Sequence, residues 1–156
     1  MTLAAAERWV EEPLRHFIDD ARVWRTLLLH GSGRVLAQHG FARSADVMSA
    51  CALAAAIRAS AGELGRMLDG RPFVELHHAG EGDQLYLAEV PTPRGPHVLL
   101  AGFGAESSLG LVRLYRAELA ERLAGAAPAA EAAPQALPED FEVDLNRNLA
   151  VLFGRA

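Results

Sequence analysis

The stretch Val23–His39, VWRTLLLHGSGRVLAQH, decides how the rest of the chain is organised. Its two apolar runs, Val23–His30 and Val35–His39, flank the tripeptide Gly31-Ser32-Gly33. Because glycine adopts positive φ without steric cost, this tripeptide favours a tight turn between antiparallel strands. The stretch therefore predicts a β-hairpin.

A helix is predicted before the hairpin. Thr2 is a suitable cap, and apolar residues recur at three- and four-residue spacing as far as about Asp20. Pro13 lies inside this pattern and lacks the amide hydrogen that a helix interior needs. We therefore expect the helix to kink or restart at Pro13.

A long, alanine-rich helix is predicted after the hairpin, from a cap at Ser44 or Asp46 to about Leu68, with Gly70 ending it. One apolar stripe consists of Val47, Cys51, Ala54, Ile57 or Arg58, Ala61, Leu64 and Leu68. A second stripe consists of Ala50, Leu53, Ala56, Ser60 and Met67. The small side chains on both stripes permit close packing against a sheet on one side and another element on the other.

Three further strands are predicted at Phe73–His78, Gln84–Val90 and His97–Phe103. The last of them is apolar on both faces, which is typical of a central strand. Ser107 or Ser108 then caps a final helix that runs to about Leu123, and Gly125 closes it. This order predicts an α+β domain in which one five-stranded antiparallel sheet carries helices on its faces.

The chain divides into three parts by composition. Residues 1–125 form the predicted domain, and residues 126–138 form a linker of mainly Ala, Pro, Glu and Gln. Residues 139–156 form an apolar tail. Its apolar positions first alternate and then follow helical spacing, at Phe141, Val143, Leu145, Leu149, Leu152 and Phe153. The tail either docks on its own domain or contacts a partner.

Composition excludes several classes of function. The 156 residues carry a net charge of −5, which argues against nucleic acid as a partner. All 15 basic residues are arginine, so no Walker phosphate loop with its lysine is present. Because the use of arginine in place of lysine is a general bias of the chain, an arginine at a given position is weak evidence for a functional role.

The chain is expected to be cytoplasmic. Cys51 is the single cysteine, so no disulfide can form within the chain, and a buried thiol is expected. The N-terminus lacks the basic and apolar regions of a signal peptide. The longest apolar stretch, Val47–Ile57, is too short to cross a bilayer, so no membrane insertion is expected.

No residue pattern predicts catalysis, a metal site or a cofactor. His77 and His78 are adjacent in a strand and point to opposite faces, so they cannot share a metal ion. His30 and His39 flank the hairpin and could approach each other, but no cysteine or carboxylate cluster accompanies them. We therefore expect no enzymatic activity and no cofactor.

The order of elements resembles the roadblock/dynein light chain family. The resemblance rests on Gly33-Arg34-Val35-Leu36-Ala37, on the alanine-rich helix Asp46–Leu68, and on Ser108-Leu109-Gly110-Leu111-Val112-Arg113. It covers roughly Leu14–Leu123 and implies the roadblock fold, a profilin-like or longin-like arrangement. Within the family, the linker and the apolar tail are most similar to bacterial regulators of cell polarity and gliding motility.

The resemblance implies a homodimer in which the long central helices lie side by side and the following strand pairs with its twin. The implied interface residues are Ala50, Leu53, Ala56, Ser60, Phe73, Val74, Glu75, Leu76 and His77. A proline at Val74 is expected to break this pairing, because proline removes a strand donor. The alternative is that the small-residue stripe belongs to the core of a monomer.

The resemblance also implies a partner, a small Ras-like GTPase. Family members of this type bind the GTP form and stimulate hydrolysis by positioning the catalytic groups of the GTPase, without an arginine finger. The implied contact residues are Arg43, Asp46, Arg58, Glu63 and Arg66, with Phe141, Leu145, Leu149 and Phe153 of the tail. The alternatives are a dimeric adaptor of the same fold and a sensor of a small ligand.

Overall fold

The structure is a computed structural model that describes residues 2–128. The predicted tail and the linker beyond Pro128 lie outside this range. The helices and strands are β1 (Ala4–Ala5), α1 (Arg8–Ala21), β2 (Arg25–His30), β3 (Val35–His39), α2 (Ser44–Asp69), β4 (Glu75–Ala79), β5 (Gln84–Thr92), β6 (Gly95–Phe103) and α3 (Leu109–Ala126).

The strands form one six-stranded sheet in the order β1-β3-β2-β6-β5-β4, and every neighbouring pair is antiparallel. This confirms the predicted α+β fold and the central place of β6. The sheet has six strands rather than the predicted five, because the N-terminal segment adds β1 at one edge. The other edge is β4.

The first helix begins later than predicted. Thr2 does not cap it, because Ala4 and Ala5 pair with β3 instead and the helix begins at Arg8. Pairing with the edge of β3 supplies hydrogen bonds that a local helical pattern does not reveal. The helix is continuous through Pro13, whose ring is buried, so it does not restart there.

The ends of the other helices show two corrections. Arg43 occupies the position before α2 and makes no side-chain cap, so neither Ser44 nor Asp46 is the cap. Gly70 ends α2 as predicted, with φ of 68° and its amide donating to the carbonyl of Arg66 at 3.1 Å. The Ser108 hydroxyl caps α3 as predicted, and α3 continues past the expected end at Gly125.

Two apolar layers hold the sheet. Helices α1 and α3 cover one face, with a core that includes Val10, Leu14, Phe17, Leu28, Tyr86, Leu99, Val112 and Leu119. Helix α2 covers the opposite face, with a core of Leu27, Leu29, Cys51, Ala54, Leu87, Val98 and Leu100. Neighbouring residues of β2, β5 and β6 alternate between the two cores, because successive side chains of a strand point to opposite faces.

Helix α2 approaches the chain that leads into β4 very closely. A Cβ atom at Gly65 would lie 2.5 Å from the amide nitrogen of Phe73 and 2.6 Å from the carbonyl oxygen of Arg71. Only glycine permits this contact, because any Cβ atom would clash with the backbone. The contact holds the end of α2 above the start of β4. Strand β4 begins at Glu75, two residues later than predicted, after this contact.

Gly65→Ala is expected to lower the free energy of unfolding by about 1–3 kcal/mol, because backbone atoms must move to admit the methyl group. The matched control is Gly125→Ala in α3, where an added Cβ meets nothing within 4 Å. That variant should be neutral or more stable by up to about 1 kcal/mol. Urea unfolding of both variants measures the difference, and equal effects would contradict the proposed contact.

A buried histidine joins two hairpins at one end of the sheet. The Nδ1 of His97 donates to the carbonyl of Gly95 at 2.9 Å, and its ring centroid lies 5.4 Å from that of His30. Burial lowers the pKa of His97. His30 and His39 do not approach each other, because His39 pairs with Thr26 at the opposite end of the hairpin.

Stability is expected to fall as the pH drops below about 6.5, the value for histidine in an unfolded chain. The folded state favours neutral His97. The contribution of His97 to the free energy of unfolding is therefore complete above that pH and is lost as the imidazole is protonated at lower pH. Glu7, Arg34 and His30 also face this imidazole. Urea unfolding between pH 7.5 and 5 measures the slope. His97→Gln should reduce it but not abolish it, because burial also lowers the pKa of His39. An unchanged slope would exclude His97 as a source.

Candidate functional site

Helix α2 is largely uncovered. Only 22% of its most apolar 18-residue window is buried, and by length and composition alone the helix is long and apolar enough to cross a membrane. This window is longer than the apolar stretch Val47–Ile57 from which no membrane insertion was predicted. Residues Cys51, Ala54, Gly62 and Gly65 form its buried side. Val47, Ala50 and Ile57 are partly buried against the same core, and most of the remaining surface of this helix is exposed among residues 2–128.

Large apolar side chains follow one flank of α2. Leu53 is 63% exposed, Leu64 is 49% exposed and Met67 is 81% exposed. At about 100° per residue, these three positions lie on the same side of the helix. We call them the apolar flank. Met48 is equally exposed, at 66%, but lies on the opposite flank.

The predicted second stripe mostly coincides with this flank. Ala50 is partly buried and packs against the sheet, as the monomer-core alternative requires. Leu53, Ala56, Ser60 and Met67 are exposed, so they contribute no core to the monomer. The small residues Ala56 and Ser60 leave room for another backbone to approach.

Strand β4 presents an open edge beside this flank. The amide of Glu89 donates to the carbonyl of Val74 at 2.9 Å, and the amide of Gly80 donates to the carbonyl of Asp83 at 2.8 Å. In an antiparallel ladder, alternate residues direct their backbone groups to the same neighbour. The backbone groups of Glu75, His77 and Ala79 therefore point away from β5. Among the described residues, β4 pairs with β5 alone.

The side chains of β4 are fixed by their own domain. The Glu75 carboxylate accepts from the Tyr86 hydroxyl at 2.7 Å and from Arg113 at 2.5 Å. Burial opposes ionisation of Glu75, but these two hydrogen bonds outweigh it and lower the pKa of the carboxyl. His77 contacts Gln84 at 2.8 Å. The strand is thus held in place before any partner arrives.

The five polar residues predicted to contact a partner take part in three ion pairs, one of which includes Glu89 as a sixth residue. Arg43 binds Asp46 through two hydrogen bonds of 3.0 and 2.8 Å, which lower the pKa of Asp46. Glu63 and Arg66 form a pair near the other end of α2. The two pairs are about 26 Å apart along the helix, since Asp46 and Glu63 are 17 residues apart.

Arg58 occupies a different position from the other four. It forms an ion pair of 2.9 Å with Glu89 of β5, so it lies on the side of α2 that faces the sheet. The structure therefore places two charged pairs at the ends of α2 and ties the middle of the helix to the domain. The tail residues Phe141, Leu145, Leu149 and Phe153 lie outside the described residues.

A groove of about 480 Å³ lies between α2 and the end of the sheet where β4 ends and β5 begins. Its floor is apolar, with Ala50, Leu85 and Leu100. Its far wall is aromatic and includes Trp24 and Phe41. The Arg25 guanidinium on this wall stacks on Trp24, 4.7 Å from the centroid of the ring. Sequence patterns did not reveal this groove, because its lining comes from six separate segments.

The described residues offer little for chemistry. Within residues 2–128, no group of three His, Cys, Asp or Glu side chains could hold a metal ion. Cys51 is buried, and burial raises the pKa of its thiol, which makes it a poor nucleophile. The features that stand out are surfaces: the apolar flank, the edge of β4, the charged ends of α2 and the groove.

Fold and sequence together define the class of protein. The Roadblock/LC7 domain profile matches residues 10–101, more than half of the chain. The chain therefore belongs to the Roadblock/LC7 family, which confirms the predicted resemblance.

Solved structures of MglB are similar to this chain. MglB of Myxococcus xanthus is 25% identical, with a TM-score of 0.67 over 77% of this chain and 95% of that chain. The gliding protein MglB of Thermus thermophilus is 26% identical, with a TM-score of 0.64 over 76% and 88%. An MglB with a tetrameric arrangement is 25% identical, with a TM-score of 0.66 over 81% and 95%. A comparison with curated proteins gives no match.

Proposed function

We propose that this protein is a homodimeric regulator of a small Ras-like GTPase similar to MglA. It binds the GTP form and stimulates hydrolysis without being an enzyme itself. Membership of the Roadblock/LC7 family and similarity to MglB support this proposal. The observation that carries it is the uncovered apolar flank of α2 beside the open edge of β4.

The dimer is built from these two features. An open strand edge with free backbone groups pairs readily with another strand. When β4 pairs with an antiparallel twin, the two α2 helices lie on the same face of a continuous sheet. Their apolar flanks then meet, with Leu53, Leu64 and Met67 of one copy against the other. Burying these side chains supplies the hydrophobic stabilisation that the monomer lacks.

The direction of the backbone groups identifies the strand positions that matter. The carbonyl of Val74 is bonded to Glu89 of the same chain, so a proline at Val74 is not the sharpest test of pairing. His77 lies in the middle of β4, and its amide points outward. Edge strands tolerate proline where the missing amide would face solvent.

His77→Pro is expected to convert the dimer to a folded monomer, because it removes an outward donor while leaving the pairing with β5 intact. Sedimentation velocity measures the oligomeric state, and circular dichroism checks the fold. His77→Ala is the matched control, since it loses the same contact with Gln84 but keeps the amide. A dimer that persists in the proline variant would place the interface elsewhere.

The GTPase is proposed to bind the outward face of the paired α2 helices. In an antiparallel pair, the Arg43–Asp46 end of one helix lies near the Glu63–Arg66 end of the other. Both charged pairs are thus available to polar switch segments of a GTPase. The effect on hydrolysis is one of position: a rigid platform holds the catalytic groups of the GTPase in place. Contact through the tail remains a prediction.

GTP hydrolysis by an MglA-like GTPase, with and without this protein, tests the proposal. We expect at least about tenfold acceleration, equivalent to a barrier lowered by about 1.4 kcal/mol. Leu53→Arg should abolish both the dimer and the acceleration, because it places charge on the apolar flank. Met48→Arg, on the opposite flank, should keep the dimer.

The outcomes separate the candidate functions. Tight binding to the GTP form with an unchanged rate would indicate a dimeric adaptor rather than an activator. Binding in neither nucleotide state would contradict the proposal and direct attention to small ligands.

A further inference from the structure

We infer that the groove between α2 and the β4–β5 end of the sheet is filled by a second copy of this chain. The occupant is the C-terminal turn of the partner's α2, with Leu64, Met67 and Leu68 as its apolar side chains. This inference rests on the dimer of the proposed function. It goes beyond that dimer by assigning the groove to an intersubunit contact rather than to a small ligand.

The first step places the groove relative to the pairing of the two strands. His78 and Ala79, at the end of β4, line the groove together with Leu85 of β5. In an antiparallel pair of β4 strands centred near His77, the start of one strand lies beside the end of the other. The start of the partner's β4 therefore lies next to this groove.

The second step places the end of α2. Gly65 packs against the backbone of Arg71 and Phe73, just before β4. The residues that follow Gly65 in α2 consequently lie above the start of β4 and project beyond the edge of the sheet. In the dimer, this projecting turn lies above the end of the other copy's β4, where the groove opens.

The third step is chemical complementarity. Leu68 is 72% exposed, and with Leu64 and Met67 it gives the projecting turn three large apolar side chains that are exposed among residues 2–128. The groove offers an apolar floor, with Trp24 and Phe41 in its wall. The C-terminal end of a helix carries partial negative charge, which suits the Arg25 guanidinium on the far wall. Within residues 2–128, Arg25 has no carboxylate within 4 Å.

Cross-linking between copies tests this arrangement directly. Cys51 is the single cysteine, so Cys51→Ala provides a background free of thiols. Full-length His78→Cys and Met67→Cys chains are mixed, allowed to exchange subunits, and treated with a short bismaleimide. We expect a cross-linked dimer in about tenfold higher yield than for the control pair His78→Cys and Met48→Cys, because contact raises the effective concentration of the thiols.

Two outcomes separate this inference from the proposed function. A dimer in sedimentation velocity without enhanced cross-linking would overturn the groove assignment and leave the dimer intact. Loss of the dimer itself, with no cross-link, would contradict both. Circular dichroism of each cysteine variant confirms that the chains are folded before they are mixed.

Binding of a small apolar dye provides a second readout. The dye should bind the monomeric His77→Pro variant at least about tenfold more tightly than the wild-type dimer, since a filled groove excludes it. Adding Ala50→Arg, which blocks the groove but leaves the apolar flank open, should remove this gain. Equal binding to monomer and dimer would mean that the groove stays open in the dimer. That result would overturn the inference and favour a small ligand or the chain's own tail as occupant.

Discussion

The close contact between Gly65 and the backbone that enters β4 determines how the rest of the molecule is arranged. It brings the end of α2 above the start of β4, so the long helix crosses the sheet rather than lying along its middle. Part of the sheet near the end of β4 stays uncovered as a result. The edge of β4, the apolar flank and the groove all lie on that side because of this crossing.

Much of this architecture could be predicted from local sequence signals. The Gly31-Ser32-Gly33 turn, the bounds of the long helix and its end at Gly70 each follow from residue types that act within a few positions. The apolar character of β6 on both faces correctly indicated a central strand. Strand β1 could not be found in this way, because two alanines carry no pattern of their own and depend on β3.

The site was predictable only in part. The stripe containing Leu53, Ala56 and Ser60 was visible as a spacing, and the structure shows that it faces away from the core. The tie between Arg58 and Glu89 joins residues 31 positions apart, and no local signal links them. The direction of each amide in β4 depends on register with β5, which sequence spacing does not determine. The groove depends on the crossing of α2 and needs the folded chain.

The proposed activity places a demand that a monomer of this fold does not meet. A regulator that acts by positioning must be stiff where it touches its partner, because small displacements weaken catalysis sharply. Helix α2 has sheet support along one side only, with the tie at Arg58 in its middle. A second α2 packed against Leu53, Leu64 and Met67 would support its other side. Dimerisation would then make α2 rigid before the GTPase binds. The α2 residues that contact the GTPase would be held in position by residues of the dimer interface that do not contact it.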